Sequence, residues 1–252
     1  MRYRLQFIGG GTMPSETLQG IVLRVANYRD RDRMLTLLTP DRGRVDLLSR
    51  GCRRPKSCLM SVSENFVQGE FVVFRNQDRY TLTSANLAET YYPLRLDAYR
   101  MTCGAYMLQL AQAAAHPEQE AQTLYELLTA SLHRLCYDTD ASQLMIVNSF
   151  LLLFAADNGY RPRLNHCVYC QKEIASTQSA YFDIVEGGIC CRGCAKGALM
   201  RLSAEQLNWM RQTLQQGLGV PEIAEDKTLF EVLRRYVESR LEATIKSSKF
   251  LP

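Results

Sequence analysis

The sequence lacks the short signatures on which most nucleotide chemistry rests. It contains no Gly-x-x-x-x-Gly-Lys-Ser/Thr loop and no Gly-x-Gly-x-x-Gly, so neither ATP hydrolysis nor dinucleotide binding has a candidate site. Histidine is scarce, with only three residues. His116 abuts Pro117 and His133 lies between Leu132 and Arg134, which suits surface or capping roles. His166 touches Cys167 and is the one histidine that could compete as a metal ligand. The His-x-Glu and Pro-Cys-x-x-Cys elements of zinc deaminases are missing, which removes activated-water chemistry of that type. Long apolar runs are also missing. The most apolar stretch, Leu144 to Ala156, has 13 residues and is interrupted by Asn148 and Ser149. A membrane span needs about 20 apolar residues, so this stretch reads as a buried core helix. Met1 to Gly11 offers only Leu5 to Ile8 as a weak apolar run, and no secretory signal is read there. No internal repeat or low-complexity tract is found.

What is present is an ordinary folded composition, 46% hydrophobic and 22% charged over 252 residues, enough for two modest domains. Among its 9 cysteines, four stand as Cys167-Val-Tyr-Cys170 and Cys191-Arg-Gly-Cys194. Two Cys-x-x-Cys turns at that separation wrap four thiolates around one tetrahedral Zn2+, and the intervening segment suits a short hairpin. The hairpin is read between Ala180-Tyr-Phe182 and Ile189, with Glu186-Gly187-Gly188 at its tip. Four thiolates leave no open position for a water, so the zinc reads as structural, one per chain. Cys190 and Cys191 are adjacent, but only Cys191 has the spacing to Cys194, so Cys190 is expected to face the apolar side with Ile189. The remaining cysteines, Cys52, Cys58, Cys103, Cys136 and Cys190, are odd in number and unpatterned, which fits a reducing cytoplasm.

The net charge of +4 conceals an asymmetry. Residues 1–60 carry twelve Lys and Arg against five Asp and Glu (12 − 5 = +7), and the rest carry eighteen against twenty-one (18 − 21 = −3). A basic N-terminal part points to a polyanion, nucleic acid first, with a merely solvated basic face as the alternative. The candidate DNA-binding residues are Arg24, Arg33, Arg42, Arg44, Arg50, Arg53, Arg54 and Lys56, with Arg29 and Arg31 beside them at the first turn. Gly51 and Pro55 keep the segment Arg50 to Ser57 out of regular structure, so its cations can follow an irregular phosphate backbone. Tyr28, Phe74 and Tyr80 are the nearby aromatics, available either for base stacking or for packing.

The pattern from Leu18 to about Thr90 is β: Gly20–Val25, Met34–Thr39, Arg44–Ser49, Phe66–Phe74 and Tyr80–Ser84 read as strands, with turns at Pro40–Gly43 and Asn76–Asp78. Five short strands predict a closed antiparallel barrel, an OB-fold first and an SH3-like barrel second. After Pro93 the period becomes helical. Helices are expected from Leu94 to His116, from Pro117 past Leu135, and over Gln143–Asp157, the last closed by Asn158-Gly159. Two more are expected to open at the capping boxes Ser203–Gln206 and Thr228–Glu231. The fold class is therefore α+β: residues 1–16 an ill-ordered leader with Met13 as an alternative start, 17–92 the barrel, and 93–252 a helical domain. The zinc finger is an insertion in that domain at about 164–197, with helices on both sides of it.

Taken together, these pieces resemble the RecO family of bacterial recombination mediators. The resemblance is carried by Gly20-Ile-Val-Leu23, Tyr28, Asp32 to Thr39, Gly43, Arg50 to Ser57, Asn158 to Pro162, both Cys-x-x-Cys pairs, Gly187-Gly188 and Lys246 to Leu251. It covers nearly everything from about Thr17 onward. It implies an N-terminal OB-fold, a helical domain with a zinc finger, and a non-enzymatic protein of DNA repair and recombination. Such proteins bind single- and double-stranded DNA and anneal complementary strands in the bacterial cytoplasm, associated with the nucleoid. With RecR they help RecA displace single-strand-binding protein, whose acidic C-terminal tail they recognise; no membrane is involved. Four positions depart from the family pattern: Cys52 for alanine, Asn65 for proline, and Arg29 and Gln171 where glycine is common. The readings kept beside this one are an RNA-binding OB-fold and zinc-ribbon protein of translation or RNA processing, and a zinc-dependent hydrolase or nuclease.

Overall fold

The computed structural model describes residues 15–77, 79–197, 199–224, 227–241 and 245–251. The leader expectation falls largely outside these; its last two residues, Ser15 and Glu16, already belong to the first strand. Five strands, β1 (Ser15–Tyr28), β2 (Asp32–Thr39), β3 (Gly43–Ser49), β4 (Gln68–Asn76) and β5 (Arg79–Glu89), close a barrel in the order β1-β2-β3-β5-β4. All neighbours are antiparallel except β3 and β5, which meet in parallel at Leu47–Tyr80 and Leu48–Thr81. Alternation sends Val22, Leu35, Leu37, Val45, Leu47, Phe71, Val73 and Leu82 into the barrel. A bulge between Val22 and Arg24 shifts the β1–β2 register. Ile21, Leu23 and Leu38 on the outer side join the helical core instead.

The helical part comprises α1 (Ala98–Ala114), α2 (Gln122–Tyr137), α3 (Gln143–Asp157), α4 (Ala204–Gln216) and α5 (Lys227–Leu241). As its apolar sequence demands, α3 is buried on nearly all sides and touches the other four. It starts at Ser142, whose side chain accepts from Met145 N–H. It ends in the expected glycine cap: Gly159 has φ +85°, and Tyr160 N–H reaches Ala155 O at 2.8 Å. Residues 164–203 form a small sheet, β7 (Gly188–Cys190) and β8 (Met200–Leu202) flanking β6 (Ala180–Asp183). The β6–β7 hairpin matches the expected one, pairing Phe182 with Ile189; β8 carries too few residues to show a period.

Three boundaries differ from expectation. Leu94 and Leu96 lie in a 3-10 turn, Tyr92–Leu96, because Asp97 caps α1 by accepting from Tyr99 and Arg100 N–H. Pro117 does not open α2, because His116–Gln119 is the surface on which the β2–β3 turn docks. Arg44 N–H donates to His116 O at 3.1 Å, and Ala121 N–H to Pro40 O at 2.7 Å. Gly43 sits there at φ +60°, and a Cβ would meet His116 O at 2.3 Å and Gln119 O at 2.5 Å. Only glycine satisfies both the left-handed backbone and that approach. Thr228 lies inside α5, whose described part begins at Lys227, rather than before it, and Glu231 pairs forward with Arg234 and Arg235. The box at Ser203–Gln206 forms in full. No helix among the described residues is long and apolar enough to cross a membrane.

Candidate nucleic-acid interface and metal centre

The barrel separates the basic residues into two groups at opposite ends of β2. At one end, the β1–β2 turn (residues 29–31) is bound to the irregular segment that follows β3. Gly51 N–H donates to Asp32 Oδ1 at 2.8 Å, and Arg53 N–H to Arg31 O at 3.1 Å. Arg54 N–H closes a turn on Gly51 O at 3.0 Å, and Gly51 takes the positive φ this requires, +66°. These bonds gather Arg29, Arg31, Arg50, Arg53, Arg54 and Lys56 on one surface, all exposed. Within ion-pair reach, no carboxylate among the described residues meets any of them. Residues 28–33 and 50–57 hold seven cations against Asp30 and Asp32 (7 − 2 = +5). Arg24, farther along β1 beyond the bulge, is exposed as well.

The other predicted cations are placed differently. Arg33 is half-buried and bonds Ser63 O at 2.7 Å and Glu64 at 2.6 Å, fastening the segment before β4 to the barrel. Arg42 lies at the far end, where it pairs with Glu16 at 2.8 Å and donates to Tyr80 Oη at 3.0 Å. Its hydrogen bond to Glu16 is the main reason its protonated form is strengthened. Arg44 is beside Arg42 on the turn that docks against His116, 4.0 Å from Asp46. The structure thus brings Arg50, Arg53, Arg54 and Lys56 together, and puts Arg42 and Arg44 elsewhere. Asp32, the acceptor that ties turn to segment, was not singled out as a site residue; a carboxylate opening a strand beside three arginines gives no sign of a backbone partner 19 residues away.

The four cysteines of the two pairs converge. Their Sγ atoms all lie within 4.8 Å of one another, with Cys170 and Cys191 at 3.8 Å. Each pair sits on its own turn, Gln171 N–H bonding Cys167 O and Cys194 N–H bonding Cys191 O, both at 3.0 Å. Cys191 N–H also points at Cys167 Sγ, 3.4 Å away. Burial opposes ionisation of Cys167, but the N–H groups of Cys170, Cys191 and Tyr169 outweigh it and bring the thiol down to about 6. Cys190 is fully buried in β7 opposite Tyr181, outside the cluster, and burial pushes its thiol up to about 11. His166 forms a bridge with Glu173 and is not in the cluster either.

One brace holds this module together and another sets it against the helices. Tyr169, between Cys167 and Cys170, donates to Asp183 Oδ2 at 2.6 Å, and Asp183 also accepts from the N–H groups of Val185 and Glu186. Phe182 packs edge-on against Tyr236 of α5 at 5.3 Å, and Arg240 donates to Ile184 O and Val185 O. Cys167, Phe182, Ile189 and Cys190 belong to the same apolar core as α1–α5. The module is built into the helical body and does not hang from it as a free finger.

Two family descriptions match most of the chain: "Recombination protein O N terminal" over residues 13–91 and "Recombination protein O C terminal" over residues 95–249. The DNA repair protein RecO of Acetivibrio thermocellus is 31% identical over 239 residues, 92% of this chain and 94% of that one. The same-named proteins of Symbiobacterium thermophilum and Alkaliphilus metalliredigens are 31% and 32% identical, covering 93% and 70% of this chain and 95% and 70% of their own. An OB-like barrel with one basic end, a helical body carrying a module of four converging thiols, and these two matches assign the chain: it belongs to the RecO family of DNA repair proteins.

Proposed function

We propose that this protein is a non-enzymatic, DNA-binding mediator of recombination. It binds single- and double-stranded DNA, anneals complementary strands, and with RecR helps load RecA on DNA coated by single-strand-binding protein, in the bacterial cytoplasm. The observation that carries this reading is the set of exposed, unpaired cations bound together at one end of the barrel. Phosphates neutralise such a surface without base-edge contacts, so strand sequence is irrelevant and bases remain free to pair. Annealing then follows from charge and proximity: the repulsion between two strands is reduced and they are held side by side. Arg24, Arg50, Arg53, Arg54 and Lys56, with Arg29 and Arg31, form this surface; Arg33 organises it from beneath, and Arg42 and Arg44 serve the join to the helical body.

The four-thiol cluster fits zinc: soft ligands, four of them, mutually close, with an N–H donor to one sulfur. When bound, the metal supplies folding free energy, about 10–16 kcal/mol in isolated zinc peptides. Cys167, Cys170, Cys191 and Cys194 would hold it and leave no position for a reacting water, so its role is structural. The helical body is the surface offered to RecR and to the acidic tail of single-strand-binding protein. Matched DNA and RNA oligomers test the reading: the protein binds DNA, anneals complementary strands and releases no cleavage products. Preferential RNA binding without DNA annealing would replace it with an RNA-processing role, and metal-dependent turnover with an enzymatic one.

A further inference from the structure

The basic surface has one aromatic residue. Tyr80 lines the barrel interior, with its hydroxyl accepting from Arg42 Nη1, and Phe74 is half-buried in β4. Tyr28 is different. It is the last residue of β1, opposite Asp32, so it stands at the base of the turn that carries Arg29 and Arg31. The ring is 40% exposed, and its hydroxyl has no hydrogen-bond partner among the described residues. The Arg29 guanidinium lies over the ring at 5.2 Å from the centroid.

That placement has a backbone cause. Arg29 takes φ +53°, in the left-handed region, which turns its side chain back over the preceding residue. A non-glycine residue held there is strained, and the strain is retained where the turn meets Arg53, whose Nη1 and backbone N–H reach Arg29 O and Arg31 O. An exposed aromatic ring is thereby held upright, backed by a cation, at the edge of a surface that attracts phosphate. Packing does not account for it, because Tyr28 belongs to neither apolar core.

We propose that Tyr28 is the stacking platform for an unpaired base of a bound DNA strand, with Arg29 as its backing. This rests on the DNA-binding reading above and adds strand selectivity to it. The cations of the surface treat duplex and single strand alike; a base can lie on Tyr28 only if it is not paired. One anchored base per barrel fixes a strand in place while its neighbours stay free to find a complement. The guanidinium contributes twice, by polarising the ring and by pairing with the phosphate beside the stacked base.

The test compares affinities for a single strand and for the corresponding duplex. Tyr28→Ala lowers single-strand affinity about 5- to 150-fold, the range for one lost base stack, and leaves duplex affinity and both salt slopes unchanged. Tyr28→Phe retains single-strand affinity, because the ring and not the hydroxyl does the stacking. Tyr28→Trp also retains it, and its indole fluorescence is quenched by single strands and not by duplex; the native Trp209 is buried in α4. Thermal unfolding of each variant shows whether the barrel is intact, and a Tyr28→Ala protein that unfolds leaves the Tyr28→Trp quenching as the deciding result. Undiminished single-strand affinity in folded Tyr28→Ala, equal losses on duplex, or an unquenched Tyr28→Trp overturns the proposal while leaving the basic surface in place. A wild-type protein that binds neither form overturns the DNA reading itself, and this with it.

Discussion

Replacing Arg53, Arg54 and Lys56 together by alanine isolates the electrostatic part of DNA binding. All three are exposed, and among the described residues none pairs with a carboxylate. The backbone bonds that shape the segment, Arg53 N–H to Arg31 O and Arg54 N–H to Gly51 O, are retained by alanine, and only the long 3.5 Å contact from Arg53 Nη1 to Arg29 O is lost. The fold should therefore survive and the charge should not. Each phosphate neutralised on a single strand contributes about 0.7 to the slope of log affinity against log salt, so losing three contacts lowers the slope by about 2. Over a fourfold rise in salt the wild-type protein then loses ~20-fold more affinity than the variant. Anisotropy titrations of a labelled single strand at several salt concentrations measure this. Arg42→Ala is the control for position: it removes one cation at the far end of β2, breaks the pair with Glu16, and leaves the slope alone. Both groups of that pair are partly exposed, so its loss costs under about 1 kcal/mol of stability. A triple variant with the wild-type slope, or an Arg42→Ala variant that shifts it as much, refutes the placement of the DNA surface.

Three further outcomes are expected. Gly43→Ala forces a Cβ to within 2.3 Å of His116 O in a left-handed backbone. The backbone strain costs about 1–2 kcal/mol and undocking the turn about 1 kcal/mol per hydrogen bond, so denaturant unfolding should show a loss of roughly 3 kcal/mol; under about 1 contradicts the docking. Cys191→Ser lowers the zinc content of purified protein and Cys190→Ser does not, read by elemental analysis; the reverse result would show that the ligand set is misassigned. Gln171→Gly relieves φ +59° just after Cys170. Strain relief of about 1–2 kcal/mol, less about 0.5–1 for the extra chain entropy of glycine, raises stability by roughly 0.5–1 kcal/mol. A lower melting temperature would mean that the glutamine side chain contributes more than its backbone costs.

The elements most legible in the sequence were those set by neighbouring residues. The strand runs Met34–Thr39 and Arg44–Ser49, the apolar run of α3, the Ser203 capping box and the Cys-x-x-Cys turns depend on a few adjacent positions, and each appears where its pattern puts it. The parts that were not legible depend on partners far along the chain. Pro117 looked like a helix start because nothing local shows that Gly43 occupies the same place. Arg33 and Arg42 looked as available as Arg53, and only folding brings Glu64 to one and Glu16 to the other. Composition alone could not divide these basic residues between an interface and a scaffold. The departures at Arg29 and Gln171 were visible as side chains in glycine positions, and the structure gives their meaning: both take the left-handed backbone that glycine adopts freely.

The central claim is that the protein anneals DNA through the surface formed by the β1–β2 turn and the Arg50–Ser57 segment. Its most direct test is the rate at which complementary strands, coated with the cognate single-strand-binding protein, become duplex with wild-type protein or with the Arg53, Arg54 and Lys56 triple-alanine variant. The account predicts rapid annealing by the wild-type protein and a near-background rate for a folded, zinc-loaded variant. Equal rates from the two proteins, or no acceleration by the wild type, would contradict it.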